Sequence, residues 1–273
     1  MMMRCQALLG TFVEISTNQD NSQAVNRAFA AVKQIQDLMG FHCPLSELSQ
    51  INRWAHQVPL KIHSWTAQVL RIAQEVHKQS NGLFNCGVGH RLVSAGLLPR
   101  HIDLSKHQLG GIEDVQFLDS ELITSPKPLC LDLGGIAKGF AVDKAVESLI
   151  ADGLESGFVN AGGDLRVFGQ SPRSIHIRNP IAPMALIDIG SLQNGAIATS
   201  GLYFANRDQQ QSHIINPFAL DESEAHIHFS GSYSILANEC VYADALTKVL
   251  ALSSAYDHPC LNHFSAQAIR ISA

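Results

Sequence analysis

The chain has 273 residues, of which 46% are apolar and 16% charged, and a formal charge of −5. That length and composition support a large buried core and exclude a disordered chain. A negative balance with no run of Lys or Arg excludes a general nucleic-acid binder.

In chain order, "ALLGTFVEIS" (7–16) reads as a strand, with Phe12, Val13 and Ile15 suited to it. Residues 22–40 place Val25, Phe29, Val32, Ile35 and Leu38 at steps of three and four, which predicts an amphipathic helix. Pro44 breaks that pattern, and Ser46 is placed to cap a short helix reaching Asn52. Ser64 is the expected cap of a longer helix, Trp65 to Gln79, closed by "SNG". A glycine-rich, irregular stretch follows, with short strands expected near 113–118 and 121–124. A helix is expected from Ile136 to about Ile150, with Ile136, Phe140, Val146, Leu149 and Ile150 on its apolar side. "GFVNAGGDLRVFG" (157–169) reads as two strands turning at 161–164. "SIHIRNP", "ALIDIG" and "GAIATSG" read as further strands, and "SHIINP" as a short apolar segment ended by proline. The chain then runs from a strand at "YSIL" into a helix starting near Ala243. No repeat or low-complexity linker interrupts it, so one α+β domain spanning 1–273 is expected.

The six cysteines, Cys5, Cys43, Cys86, Cys130, Cys240 and Cys260, lie far apart without CxxC spacing. They read as reduced thiols, not as a zinc knuckle. No apolar run approaches the roughly 20 residues that span a bilayer. The opening "MMMRCQALLGTFVEI" lacks the apolar region of a signal peptide, and a cytoplasmic protein without a membrane span is expected.

Four places carry chemistry. "LDLGGIAKGFAVD" (131–143) puts two glycines and Lys138 at the start of a helix. Glycines allow close backbone approach, and a helix N-terminus offers free N–H groups to an anion. A tight strand-to-helix turn with a solvated lysine fits the same letters, and the P-loop and dinucleotide-binding spacings are both absent. "NAGGD" (160–164) is either a second backbone cradle or a hairpin turn in which Asp164 bonds its own backbone. On the last helix Asp244, Thr247 and Lys248 share a face at i, i+3 and i+4. The pattern suits either oxygen donation to a hard cation or an Asp–Lys ion pair near the helix start. Of the 13 histidines, none forms H-x-x-x-H, and His213, in the apolar "SHIINP", is the candidate general base.

Taken in order, these segments resemble the ApbE family, the FAD:protein FMN transferases. "LLGTFVEI" is similar to the family's opening Met-Gly-Thr strand, and "FHCPLSELSQIN" to its Tyr-x-Pro-x-Ser-Glu segment. "NGLFNCGVG", "DLGGIAKGFAVD", "VNAGGDLRVFG", "ATSG", "SHIINP" and "ADALTK" are similar to the later blocks, so the resemblance covers nearly the whole chain. It implies a single ApbE-like, T-fold-related α+β domain with mixed or antiparallel sheets flanked by helices. It also implies an enzyme that binds FAD and Mg²⁺ and passes FMN to a Ser or Thr hydroxyl of a flavoprotein through a phosphoester. An FAD pyrophosphatase releasing FMN and AMP, or a non-catalytic FAD carrier, are the alternatives. Carried over by position, His213 is the catalytic histidine. Leu9, His42, Leu83, Phe84, Asn85, Asp132, Lys138 and Ile215 fall on flavin-dinucleotide contacts, and Gly135 and Asp244 on metal ligands.

The departures from the family pattern concern the same site. Leu9 stands for the usual Met, His42 for Tyr, and Asn85 and Asn216 for Asp. The family's metal-binding Thr, four residues after the Asp, is Lys248 here, with Thr247 one residue earlier. Either Thr247 supplies the oxygen after a small register change, or the Lys248 ammonium replaces the cation electrostatically.

Overall fold

The computed structural model describes residues 2–102, 109–201, 212–221, 224–253 and 257–272. Its centre is a seven-stranded antiparallel sheet in the order β1 (Met2–Leu8), β2 (Thr11–Thr17), β6 (Gly157–Ala161), β7 (Asp164–Phe168), β10 (Gly195–Gly201), β11 (Ser232–Ala237) and β12 (Gln267–Ile271). Strand alternation separates two faces. Val159, Ala161, Ala196 and Ala198 join the main core with helices α1 (Ser22–Met39), α5 (Ala137–Ala151) and α6 (Cys240–Ser253). Phe158, Leu165, Val167 and Ile197 point the other way, into a smaller core under the hairpin of β8 (Arg173–Arg178) and β9 (Leu186–Leu192). Helices α2 (Glu47–Trp54) and α3 (Ser64–Gln79) flank a three-stranded sheet of β3 (Leu60–Lys61), β5 (Leu122–Thr124) and β4 (Gln116–Phe117). Short helices α4 (Gly89–Ser94) and α7 (Cys260–His263) complete the described chain.

The expected α+β class is the one observed, and most elements fall where periodicity put them. The first expected strand is instead a hairpin. Leu9 (φ 56°) and Gly10 (φ 71°) both take left-handed conformations between β1 and β2, as a two-residue hairpin turn requires. Leucine rarely adopts that conformation, so the turn is masked in the sequence. The backbone N–H of Leu9 donates to the Gln36 side chain at 2.6 Å, which ties the turn to α1. The cap of α3 is His63, whose Nδ1 accepts the Trp65 N–H at 3.1 Å, not Ser64. Ser46 caps α2 as expected, accepting from the Ser49 N–H at 3.2 Å. Ile150, expected on the apolar side of α5, is 51% exposed, and α6 begins at Cys240, three residues before the expected start.

Helices α5 and α6 cap each other. The Asp244 carboxylate accepts the Gly139 N–H at 3.0 Å in the first turn of α5. In return Asp143, on α5, accepts the Cys240 and Val241 N–H groups at 2.9 and 2.8 Å in the first turn of α6. Each carboxylate thus satisfies donors that a helix start leaves unpaired, and lies at the positive end of the other helix's dipole. The crossing needs glycine at 139. A Cβ there would stand 2.3 Å from the Cys240 carbonyl oxygen and 2.8 Å from Asp244 Cβ. Gly139→Ala therefore forces the helices apart, and we expect a loss of about 1–3 kcal/mol, read as a lower midpoint in urea or thermal unfolding.

Candidate active site

A cavity of about 870 Å³ opens where the β1–β2 turn, the end of α1, the 83–88 segment, the start of α5, β10, the 213–215 segment and α6 converge. It is lined by Leu9, His42, Leu83, Phe84, Asn85, Asp132, Gly135, Lys138, His213, Ile215 and Lys248. Residues separated by more than 200 positions in the chain thus meet around one space. Asp244 and Thr247 lie behind its wall, both fully buried.

The segment carrying Asp132 is held from two sides. Asn52 clamps Leu131 with both amide atoms, donating to its carbonyl at 2.9 Å and accepting its N–H at 2.7 Å. The Asp132 N–H donates to the Cys86 carbonyl at 2.8 Å. Asn85 is also committed to shaping backbone. Its Oδ1 accepts from Gly87 (2.8 Å) and Ile112 (3.1 Å), and its Nδ2 donates to Glu113 at 3.1 Å. An amide does this with both ends, which an aspartate would not. Asn52 was legible only as a helix end, and its role emerges where the end of α2 meets Leu131. Burial raises the Asp132 carboxyl above the usual range, against the pull of the Gly134 N–H, His42 and Lys248.

A ladder of alternating charge runs along the α5–α6 corner. Lys138 pairs with Asp164, Lys138 Nζ lies 3.9 Å from Asp244 Oδ2, and Lys248 pairs with Asp244 Oδ1. Burial disfavours the charge on Lys138, but Asp164 and Asp244 outweigh it and hold the ammonium well above its ordinary range. Burial likewise opposes ionisation of Asp244, yet Lys138 and Lys248 together bring it below the usual carboxylate value. The turn of "NAGGD" is stabilised by Asn160, whose Oδ1 accepts the Gly163 N–H at 2.9 Å. Asp164 is thereby left for Lys138 instead of its own backbone.

His213 stands on a short segment fixed by backbone bonds. The Ile214 N–H donates to the Ser212 hydroxyl (3.0 Å), the Ile227 N–H to the Ile214 carbonyl (3.0 Å), and the Asn216 N–H to the Ala225 carbonyl (2.7 Å). Desolvation, then the positive charges of Lys248 and Lys138, push the imidazole down to about 4, with Asp244 opposing. His213 as a residue is nonetheless exposed, open to a ligand in the cavity that it lines. At neutral pH the ring is uncharged and able to accept a proton.

The donor set does not fit a divalent cation. Magnesium demands near-octahedral oxygen ligation. Here the Lys248 ammonium occupies Asp244 Oδ1, and the Gly139 N–H occupies Oδ2. The Thr247 hydroxyl is held by the Asp244 carbonyl and the Ser200 hydroxyl, both at 2.7 Å. Among the described residues no group of three or more His, Cys, Asp or Glu side chains is placed to hold a metal.

An α+β fold with one large cavity, cationic at one corner and apolar along its walls, defines a site for an anionic ligand with a flat or apolar part. The chain belongs to the ApbE family, whose model matches residues 9–259. It is 27% identical to an FAD:protein FMN transferase of Chlamydia pneumoniae over 255 residues, covering 89% of this chain and 79% of that protein. It is also 27% identical to the FAD:protein FMN transferase of Vibrio cholerae, covering 79% and 69% of the two chains. A mutant of the flavin transferase ApbE from Vibrio cholerae has the same fold, with a TM-score of 0.83 at 23% identity over 99% of this chain and 93% of that one. The ApbE protein of Thermotoga maritima superposes with a TM-score of 0.77 at 23% identity, covering 99% and 94%.

Proposed function

We propose that the chain binds FAD in this cavity and transfers its FMN half to a Ser or Thr hydroxyl of an acceptor flavoprotein, releasing AMP. The observation that supports this most is the convergence of every flavin-assigned position and His213 on one cavity with two lysines at its corner. Leu9, Leu83, Phe84 and Ile215 offer apolar surface to a flavin ring, and His42 a flat one. Asp132 offers a carboxyl to the ring's polar edge, and Lys138 a positive charge to the pyrophosphate. The acceptor oxygen attacks the phosphorus of the FMN half, the bond to the AMP phosphate breaks, and AMP leaves with the electron pair. His213 takes the hydroxyl proton. Substituting water for the acceptor makes the same arrangement a pyrophosphatase. We place the reaction in the cytoplasm, a reading supported by the six cysteines, all free thiols. No helix among the described residues is long and apolar enough to cross a membrane.

Incubating the purified chain with FAD and separating the products by chromatography tests the reading. AMP release is expected, with FMN appearing on a supplied acceptor or free in its absence. FAD held but uncleaved makes the chain a carrier, and absence of FAD binding overturns the reading.

A further inference from the structure

Building on the FAD reading above, we propose that Lys248 takes the place of a divalent cation at the pyrophosphate, so that FAD binding and cleavage need no metal. The Lys248 side chain lies across the start of α5, such that a Cβ on Gly135 would stand 3.4 Å from its Cε and 3.8 Å from its Cδ and Cγ. Its Nζ donates to Asp244 Oδ1 and, at 3.0 Å, to the Asp244 carbonyl. An ammonium has three N–H donors. Two are therefore committed to Asp244, and the third, which meets no acceptor among the described residues, is left for a phosphate oxygen in the cavity that Lys248 lines. Lys138, paired with Asp164, lines the same cavity. Lys248 thus puts a fixed positive charge where the family pattern places a metal ligand, beside Lys138, and Asp244 and Asp164 balance the two ammoniums until a phosphate arrives. They are held in place before substrate arrives, as stabilisation of developing charge requires. In the step itself the acceptor oxygen forms a bond to the FMN phosphorus and the bond to the AMP phosphate breaks. The hydroxyl proton passes to His213, and Lys248 keeps all its protons while its third N–H faces a phosphate oxygen that gains charge.

The test compares the full-length protein in excess EDTA and in excess Mg²⁺, reading FAD affinity by flavin fluorescence, AMP release by chromatography and Mn²⁺ binding by electron paramagnetic resonance. The wild-type chain is expected to bind and cleave FAD equally, within about twofold, in both buffers, and to bind no Mn²⁺ at this corner. Lys248→Met, which keeps the packing on Gly135 without the charge, is expected to bind FAD about tenfold more weakly and release AMP about 10²-fold more slowly. Lys248→Thr frees Asp244 Oδ1 and supplies an oxygen, and is expected to gain one Mn²⁺ per chain and become EDTA-sensitive. The wild-type comparison needs no variant to fold. AMP release that EDTA abolishes, stoichiometric Mn²⁺ binding by the wild type, or FAD held uncleaved in both buffers each overturns the inference. Metal-dependent cleavage leaves the transferase reading standing, whereas absence of FAD binding in either buffer removes both.

Discussion

Replacing His213 with alanine is expected to lower AMP release from FAD by about 10²–10⁴-fold while leaving FAD affinity within about threefold. The segment that carries His213 is held by backbone bonds and the Ser212 hydroxyl, none of which involves the imidazole. Its removal therefore takes away a proton acceptor without dismantling the cavity wall. Single-turnover chromatography alongside flavin-fluorescence titration separates the two effects. Cleavage at the wild-type rate would place the base elsewhere. The pH dependence gives the same residue a second signature. Desolvation and the two lysines lower the His213 pKa toward about 4, and the chemistry needs the deprotonated ring. The rate is then sustained as pH falls below the ordinary histidine value of about 6.5, and declines only as His213 takes up a proton. Removing a positive neighbour raises a histidine pKa, so in Lys248→Met the acidic limb moves upward. A limb that stays fixed would mean that Lys248 does not act on His213.

How much was legible in the sequence depends on whether the signal was local. Helices α1, α2 and α3 declared themselves through apolar spacing and polar starts, because burial of one face decides such segments. The β1–β2 hairpin did not, since its turn sets Leu9 at φ 56° where glycine or asparagine is the usual cue. The paired strands and the Gln36 bond to Leu9 hold that conformation in place. The site residues were expected from residue type and block order; the flavin-assigned positions and His213 line one cavity, whereas Asp244 and Thr247 are buried behind its wall. Their partners were less visible. Thr247 and Lys248 differ by one position, or about 100° around a helix of 3.6 residues per turn. That rotation turns the threonine to Ser200 on β10 and the lysine to Gly135 and the cavity. Which of the two faces the cavity depends on how α6 packs, and the sequence left both readings open. Asp143 was read only as the end of the "LDLGGIAKGFAVD" block. Its work depends on a helix start 97 residues away, and no spacing rule reaches that far.

Asp143→Ala is expected to be the most destabilising of these changes, at about 3 kcal/mol or more. The carboxylate, buried to 2% exposure, accepts three donors: the Arg166 guanidinium at 2.7 Å and the Cys240 and Val241 N–H groups at 2.9 and 2.8 Å. Burial pushes its pKa up to about 6, against Arg166 and the two N–H groups. Because every partner is a donor, the ionised form is the one the site holds at neutral pH. Alanine strands two buried N–H groups at a helix start, where each unsatisfied donor costs about 1–3 kcal/mol. Arg166, 21% exposed, can turn toward water and recover part of its loss. Asparagine keeps one acceptor but aims an amide N–H at a donor, so Asp143→Asn falls between wild type and alanine. Thermal unfolding followed by circular dichroism reads the order, with roughly 6–12 °C expected for alanine at about 2–4 °C per kcal/mol in a chain of this size. The consequence reaches the active site, because α6 carries Asp244 and Lys248 and is anchored to α5 at this point. If the mutual capping sets the corner, Asp143→Asn also weakens FAD binding, although residue 143 lines no part of the cavity. Unchanged affinity in a destabilised variant would show that the Asp244–Gly139 bond alone holds the corner together.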